Sequence, residues 1–571
     1  MLSFLLAIGT FFAFILAYNF YGRYISDKIF VIDENREVPS HQYEDGVDFV
    51  PTNRHILFGH HFTSIAGAAP IVGPAIAVIW GWVPAILWVV FGSIFLGAVH
   101  DFSALIMSAR NEGRSIGEIS ENIVNKRVRT LFLIFIFFTL LIVIAVFALV
   151  IGILFNTYPQ SVLPVFVEIP LAIAIGFMVY KRKMKALVPA LIALGIMYLF
   201  IWLTSVYPAL EFTMPSVFGL NPTLVWVIVL MVYAYIASIL PVWTLLQPRD
   251  FINSHELIVG LAFLILGLLV GRPQIVAPAF NTGVQGAPPI IPFLFITIAC
   301  GAISGFHSTV ASGTTIKQIN SEKDSRFIGY GGMLAEGILA TMAILACTAG
   351  FSSLNAWTNH YASWSAASGL AAKVSAFVEG GSTFLEALGF PPAFAASVLA
   401  VLVVSFAATT LDSATRIQRY VVSELAEDMN IHPLSTRHGA TLVAVITAFL
   451  LSSINGGKGG LILWPLFGTA NQMLAALTLL VATVYLAKHE KPFKVTILPF
   501  TFMVIVETWA LVYNINKFLT SGNMLLTTIG AILLVLEVWM VIESLNIMKK
   551  IGNNELKTTS IEEETQIEAD L

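Results

Sequence analysis

The sequence predicts an all-α polytopic membrane protein with about 15 transmembrane helices. Of its 571 residues, 57% are hydrophobic and only 11% are charged, and the mean hydropathy is +0.84. Soluble proteins carry about 25% charged residues, so these charges are too few to cover a soluble surface. The apolar residues form runs long enough to cross the hydrocarbon core of a bilayer. These runs are continuous rather than alternating, which favours helices over a β-barrel.

The composition also excludes other classes of protein. The net charge is −4 and there is no basic domain, which argues against a nucleic-acid binder. The two cysteines, Cys300 and Cys347, both lie in apolar runs, so they are expected to be reduced packing residues rather than a disulfide. The first apolar run has no positive n-region and no small-residue cleavage site, so it is interpreted as a membrane helix and not a signal peptide.

Fifteen apolar runs are predicted to span the membrane. They are residues 2–21, 56–80, 82–109, 130–156, 163–180, 186–206, 222–246, 255–272, 290–318, 328–352, 390–412, 437–453, 461–487, 493–516 and 524–548. The Ser/Ala-rich stretch 353–389 is interpreted either as a loop with an interfacial helix or as a re-entrant segment. Together these runs make one membrane domain, 1–550, followed by an acidic tail, 551–571, that is expected to be disordered and cytoplasmic.

The loop charges predict the orientation. When alternate loops are assigned to opposite sides, 26 of the 30 lysines and arginines fall on one side, and only Arg272, Lys373, Lys458 and Lys517 fall on the other. Positive residues mark the cytoplasmic side. The N-terminus is therefore expected outside and the C-terminus inside.

Two predicted spans contain residues that interrupt helices. They carry GHHFTSIAGAAPIVGP at 59–74 and GAISGFHSTVASGTT at 301–315. Pro70 and Pro74 lack backbone donors, and backbone groups freed at membrane depth must be satisfied by protein or by a watery cavity. Both stretches fall near the midplane, in helices of opposite direction, which is typical of an inverted-repeat transporter. The alternative is close helix packing through small residues.

Ionisable residues within membrane helices are candidates for function. Each candidate also has a structural interpretation. His60 and His61 could cap the start of the first interrupted helix, and Asp101 could pair with Arg110 or another cytoplasmic base. Asp412 could form an i,i+4 pair with Arg416 at the end of a helix. Single intramembrane carboxylates also occur at Glu336, Glu507 and Glu537.

The interrupted helices supply the predicted site. Substrate is expected between residues 64–74 and 301–315, where half-helix N-termini can present N–H groups to a carboxylate. His61 and His307 are the favoured proton-coupling residues because histidine changes charge near neutral pH. The predicted substrate contacts are Ser64, Gly67, Ser304, Gly305, Ser308 and Thr309; the predicted coupling group is His61, His307, Asp101, His60 and His100; and the predicted structural or gating residues are Pro70, Pro74, Asp412 and Arg416.

At these residues the chain resembles the carbon starvation protein A family of bacterial transporters. The strings that carry the resemblance lie in order between residues 57 and 472: LFGHHFTSIAGAAPIVGP, GAVHDF, GRSIGE, SGFHSTVASGTT, LDSATRIQRY and WPLFGTANQ. The resemblance implies uptake of peptides, or of pyruvate with protons. It also implies a core related to the amino-acid transporter fold, with a five-helix inverted repeat. The two interrupted helices are seven apart in order, which implies inserted helices or a different first repeat.

We therefore expect a secondary active transporter in the bacterial cell membrane that imports small carboxylate-bearing nutrients during starvation. No P-loop is present, so coupling to a proton gradient is expected, without a cofactor or a bound metal. Sodium coupling is an alternative, since unwound carbonyls and hydroxyls can hold a cation. An intramembrane metal-dependent enzyme is a weaker alternative, because adjacent His60 and His61 point about 100° apart on a helix. The expected partners are a small-molecule or short-peptide substrate and the lipid bilayer.

Overall fold

The computed structural model describes residues 2–457 and 459–553, and it is almost entirely helical. Within these ranges, thirteen helices are long and apolar enough to cross a membrane. They are Leu2–Phe30, Trp82–Ala109, Lys126–Thr157, Pro159–Lys181, Leu187–Val206, Pro222–Ile239, Leu246–Gly271, Glu322–Ala349, Pro392–Asp428, Arg437–Ile454, Ile462–Lys488, Lys494–Thr520 and Met524–Lys550.

Two further segments cross the bundle as interrupted helices. The first broken helix consists of Arg54–Ala66 and Ala69–Trp80, bent by 41° at the break, and raises the count of spans to fourteen. The second broken helix begins at Ile290–Thr297, resumes at Gly305–Val310, and continues through a π-helical turn and a 3-10 turn to Gln318. The predicted all-helical membrane fold is thus confirmed. The predicted tail lies, from residue 554 onward, outside the described residues.

The spans form an inner and an outer group. The most apolar windows of Glu322–Ala349, Pro392–Asp428 and Ile462–Lys488 are 89–94% buried, whereas those of Leu2–Phe30 and Met524–Lys550 are only 28–33% buried. Large apolar side chains of the outer helices are exposed, for example Phe20. A continuous apolar surface of this kind fits lipid and not water. The broken helices therefore lie in a protein core that outer helices separate from lipid.

The two broken helices run in opposite directions. Thr52, just before the first, pairs with Ile319, just after the second. At the other end, Asn281 precedes the second broken helix and its N–H donates to the carbonyl of Trp80, the last residue of the first. The start of each broken helix is therefore next to the end of the other, as an inverted repeat requires.

Three boundaries differ from the sequence prediction. Residues 247–254, interpreted as a loop, form the buried first turns of Leu246–Gly271, and the preceding helix ends at Ile239. The run predicted to end at 412 continues as one helix to Asp428. Charged residues lower local hydropathy in both places, but Arg249, Arg416 and Arg419 are buried against partners instead of facing water. The stretch 353–389 contains the short helices Leu354–His360 and Trp364–Ala367, then Leu370–Glu386.

Candidate functional site

The first break is set by a cap and a glycine. The side chain of Asn53 accepts from the N–H of His55 and starts the helix Arg54–Ala66. Gly67 ends it with φ +48°, a conformation that favours glycine. The Thr410 hydroxyl donates to the freed carbonyl of Ser64 at 3.3 Å. Pro70 lies in the first turn of the next half-helix, where its missing N–H costs little.

The second break is supported by neighbouring side chains. The carbonyl of Ile298 accepts from Trp88 Nε1 at 2.9 Å, and the carbonyl of Gly301 accepts from the Ser93 hydroxyl at 2.8 Å. Where the helix resumes, the N–H of Phe306 donates to Asn471 Oδ1 at 2.9 Å. The backbone polar groups of the second break are thus hydrogen-bonded by protein side chains, as burial within a membrane requires.

Four buried side chains form a continuous row at the second break, which we call the histidine chain: His100, Asp101, His307 and Glu336. The two oxygens of Asp101 lie 2.7 Å from His100 Nδ1 and 2.9 Å from His307 Nδ1. His307 Nε2 lies 3.2 Å from Glu336 Oε2. All four side chains have no exposed surface. Because no lysine or arginine pairs with them among the described residues, mobile protons are the available counter-charges.

The histidine chain touches both broken helices. His307 is on the second, and its ring lies beside the backbone of Ile65 on the first. Donor atoms of His307, Glu336 and Cys300 lie within 4.8 Å of one another, close enough to hold a metal ion. His307, Asp101 and His100 are predicted coupling residues, whereas Glu336 is predicted only as a single intramembrane carboxylate outside the site. Helix periodicity cannot show that residues so far apart in sequence meet.

His60 and His61 have different surroundings. His60 Nδ1 makes a short contact with Asp250, whereas His61 Nδ1 lies 2.9 Å from the Thr315 hydroxyl on the second broken helix. The two rings thus point to different neighbours, as adjacent positions on a helix predict. Of the two, only His61 faces the second broken helix.

A second buried group, which we call the arginine cluster, contains Glu168, Tyr233, Arg249 and Asp412. Arg249 lies 3.3 Å from Glu168 and 2.7 Å from Asp412. The Tyr233 hydroxyl donates to Asp412 at 2.8 Å. Arg249, Asp250 and Glu168 are not among the site residues predicted from the sequence. Two adjacent charges made residues 247–254 resemble a loop, which concealed the burial of Arg249 and Asp250. Glu168, in contrast, lies inside the predicted span 163–180 and could have been found as an intramembrane carboxylate.

The sequence-based pair of Asp412 with Arg416 is wrong. Asp412 binds Arg249, while Arg416 donates to Asp48 at 2.5 Å and to backbone carbonyls. Arg419 also binds Asp48, at 3.0 Å. Burial raises the pKa of Asp48, but the two guanidinium groups outweigh it and hold that pKa well below its usual value. The possible pair of Asp101 with Arg110 is wrong too, because Arg110 binds Glu322 at 2.6 Å.

A small cavity lies between the two breaks. Its walls include Gly67, Cys300, Phe306, Thr410 and Asn471, and its volume is about 10 Å³, room for about one water molecule. Of the six predicted substrate contacts, only Gly67 lines it.

Of the other five predicted contacts, the four serine and threonine hydroxyls bond to neighbouring residues, and Gly305 is closely packed. The Ser64 hydroxyl lies 2.7 Å from that of Ser413, Ser304 binds Asn471, and the Ser308 hydroxyl lies 2.9 Å from that of Thr478. The Thr309 hydroxyl donates to the carbonyl of Phe306 within its own helix. A methyl group added to Gly305 would lie 2.3 Å from the carbonyl oxygen of Asn471.

Buried titratable groups beside two antiparallel broken helices define a secondary transporter of the membrane. The chain belongs to the carbon starvation protein CstA family, whose profile matches residues 2–368 and 351–510. It is 34% identical to the peptide transporter CstA of Campylobacter jejuni, over 89% of this chain and 80% of that one. It is 31% identical to the pyruvate/proton symporter BtsT of Escherichia coli K12, over 90% of this chain and 81% of that one.

The fold is also found in a solved structure. The crystal structure of MhsT in complex with L-phenylalanine matches with a TM-score of 0.50, over 86% of this chain and 99% of that one, at 11% identity. The inverted-repeat transporter fold is therefore confirmed. The chain is a multi-pass membrane transporter, and the names of its family and relatives point to transport rather than to catalysis.

Proposed function

We propose that the protein is a proton-coupled symporter that imports a small carboxylate-bearing nutrient, either pyruvate or short peptides, across the bacterial cell membrane. The observation that carries the proposal is the histidine chain, which joins three titratable side chains to His307 and lies beside both breaks. The names of the relatives agree with both substrate classes. The N-terminus is outside and the C-terminus, with its acidic tail, is in the cytoplasm.

Substrate and proton favour each other in this site. An arriving carboxylate raises the proton affinity of a buried imidazole, and a proton on His307 attracts the anion in return. Asp101 and Glu336 can hold the proton when the site lacks substrate, because each lies within 3.2 Å of His307. The central cavity of about 10 Å³ must widen to admit pyruvate, so binding is coupled to movement of the half-helices.

Sodium coupling is the second candidate, and a specific group of oxygens favours it. Where the first break meets the helix Pro392–Asp428, the hydroxyls of Ser64 and Ser413 lie 2.7 Å apart and Thr410 binds the Ser64 carbonyl. Hydroxyl and carbonyl oxygens are the ligands that hard cations prefer.

Uptake by liposomes containing the purified protein separates the two candidates. Labelled pyruvate, single amino acids and short peptides are each tested under an imposed inward proton or sodium gradient. We expect accumulation with the proton gradient, and its loss in His307→Gln while substrate exchange remains. Accumulation that needs sodium and falls in Ser413→Ala, but not in His307→Gln, would establish the second candidate.

Two further measurements test the expected absence of a bound metal and the orientation of the chain in the membrane. We expect no stoichiometric metal in the purified protein by elemental analysis. A stoichiometric metal that is lost in Cys300→Ala would show that Cys300, His307 and Glu336 bind an ion. Tags at the two termini should be reached from opposite sides of the membrane, the N-terminal tag from outside. Labelling of both from one side would contradict the proposed orientation.

A further inference from the structure

A larger cavity lies beyond the first and second breaks. Its volume is about 310 Å³. The wall contains two of the four basic residues that the loop charges assign to the outer side, Lys373 and Lys517, and no aspartate or glutamate of the described part of the chain. The remaining wall is mainly apolar and aromatic, with Trp364, Trp464 and Phe293 among its residues. A cavity lined in this way concentrates anions that also carry an apolar part.

Lys373 is the unusual residue of this wall. It lies on the helix Leu370–Glu386 and is only 6% exposed. Its ammonium group lies 5.1 Å from the centre of the Trp464 ring, and among the described residues no carboxylate lies within ion-pair distance of it. A buried cation is costly without a counter-charge, and a cation–π contact offsets only part of that cost. The electrostatic environment of Lys373 therefore favours the binding of an anion.

The outer cavity adjoins the central one. Ala69, Cys300 and Phe467 line both cavities, so these side chains form part of the wall between them. Ala69 is the first residue of the second half of the first broken helix, and Cys300 lies in the second break. Movement of the half-helices would therefore connect the outer cavity with the small central cavity.

We propose that Lys373 and the ring of Trp464 form an outer binding site for a carboxylate anion, which the substrate occupies before it moves to the central site. The ammonium group pairs with the carboxylate, and the aromatic wall contacts the apolar part of the molecule. The exposed Lys517 at the same wall raises the local concentration of anions. This inference rests on the proposed import of a carboxylate-bearing nutrient.

Residue-resolved labelling tests binding without transport. The full chain in lipid nanodiscs is briefly acetylated with acetic anhydride, and each lysine is quantified by mass spectrometry with and without pyruvate, alanyl-alanine or the neutral amide of pyruvate. We expect pyruvate, alanyl-alanine or both to slow acetylation of Lys373 by roughly fivefold or more, since an ion-paired amine is protected. The neutral amide should leave it unchanged. Lys323, which pairs with Glu34 on the opposite face, is the internal control.

Kinetics tests the role in transport. We expect Lys373→Gln to raise KM roughly tenfold or more with little change in maximal rate, as loss of one partner of a buried ion pair predicts. Lys373→Arg should restore the low KM, and the matched rim variant Lys517→Gln should change it by less than about threefold. Trp464→Leu should raise KM as well, which supports the site independently if Lys373→Gln folds poorly.

The experiments distinguish a failure of the proposed outer site from a failure of the proposed proton-coupling site. His307→Gln should lose proton-driven accumulation yet keep protection of Lys373. Equal acetylation of Lys373 with and without both carboxylates would overturn the outer site, and so would an unchanged KM in both Lys373→Gln and Trp464→Leu. Neither result would affect proton coupling, which is read from accumulation in the wild-type protein.

Discussion

The charged side chains of the arginine cluster and the titratable side chains of the histidine chain are all buried, yet the two groups differ in the nature of their positive charge. In the arginine cluster a guanidinium that is always protonated lies between Glu168 and Asp412. In the histidine chain the group between Asp101 and Glu336 is the imidazole of His307, which can gain or lose a proton near neutral pH. Burial of charge alone therefore does not mark a coupling site. The ability to exchange the compensating proton distinguishes the two.

The largest expected effect comes from removing the fixed charge. Arg249→Met leaves Asp412 and Glu168 without their cation, and loss of one partner of a buried pair costs about 3–5 kcal/mol. We expect a much lower yield of monodisperse protein and a lower melting temperature in detergent. The matched control combines Arg249→Met with Glu168→Gln and Asp412→Asn, which removes all three charges and should recover much of the stability. Wild-type melting of the single variant would show that the cluster is not structural.

The next largest effect is expected in the histidine chain, on proton coupling rather than on stability. His307→Gln and Asp101→Asn should each fold normally, because no permanent charge loses its partner. Proton-driven accumulation of substrate in liposomes should fall to near equilibrium, a loss within the roughly 5- to 150-fold range of typical coupling. Exchange of labelled for unlabelled substrate should continue. If both variants still concentrate substrate under a proton gradient, the coupling site lies elsewhere.

A smaller effect is expected at the end of the histidine chain. His100 pairs with Asp101, and among the described residues no ion pair joins it to His307 or Glu336. His100→Gln removes one titratable group and one hydrogen bond, a change of about 1 kcal/mol. We expect the proton-driven rate to fall roughly fivefold while accumulation persists. A complete loss of accumulation would instead place His100 in the main proton path.

The smallest effect is expected at His61. Its ring nitrogen lies near the neutral Thr315 hydroxyl, and a glutamine amide can replace that hydrogen bond. His61→Gln should therefore change proton-driven accumulation by less than about twofold, below typical coupling factors. Uptake in the same liposome assay measures this directly. A loss equal to that of His307→Gln would show that each broken helix carries a coupling histidine.

The amino-acid sequence by itself predicted the membrane class, the positions of the spans and both breaks. Hydropathy and helix-breaking residues act locally, so they can be read from neighbouring positions. Gly67 and Pro70 mark the first break in the sequence as clearly as in the structure. The same local signals failed at Arg249, where buried charge resembled a loop.

Only the tertiary structure decided which charged groups meet. Asp412 has Arg416 one turn away in its own helix, but it binds Arg249, 163 residues distant in sequence. His307 likewise meets Asp101 across 206 residues and reaches Glu336 on the next span. Helix periodicity predicts contacts between residues three or four positions apart. In a low-dielectric core, however, the packing that gives each buried charge a partner has the lowest free energy. That choice depends on how all the helices pack, and the same packing created the cavities beside Lys373 and Gly67.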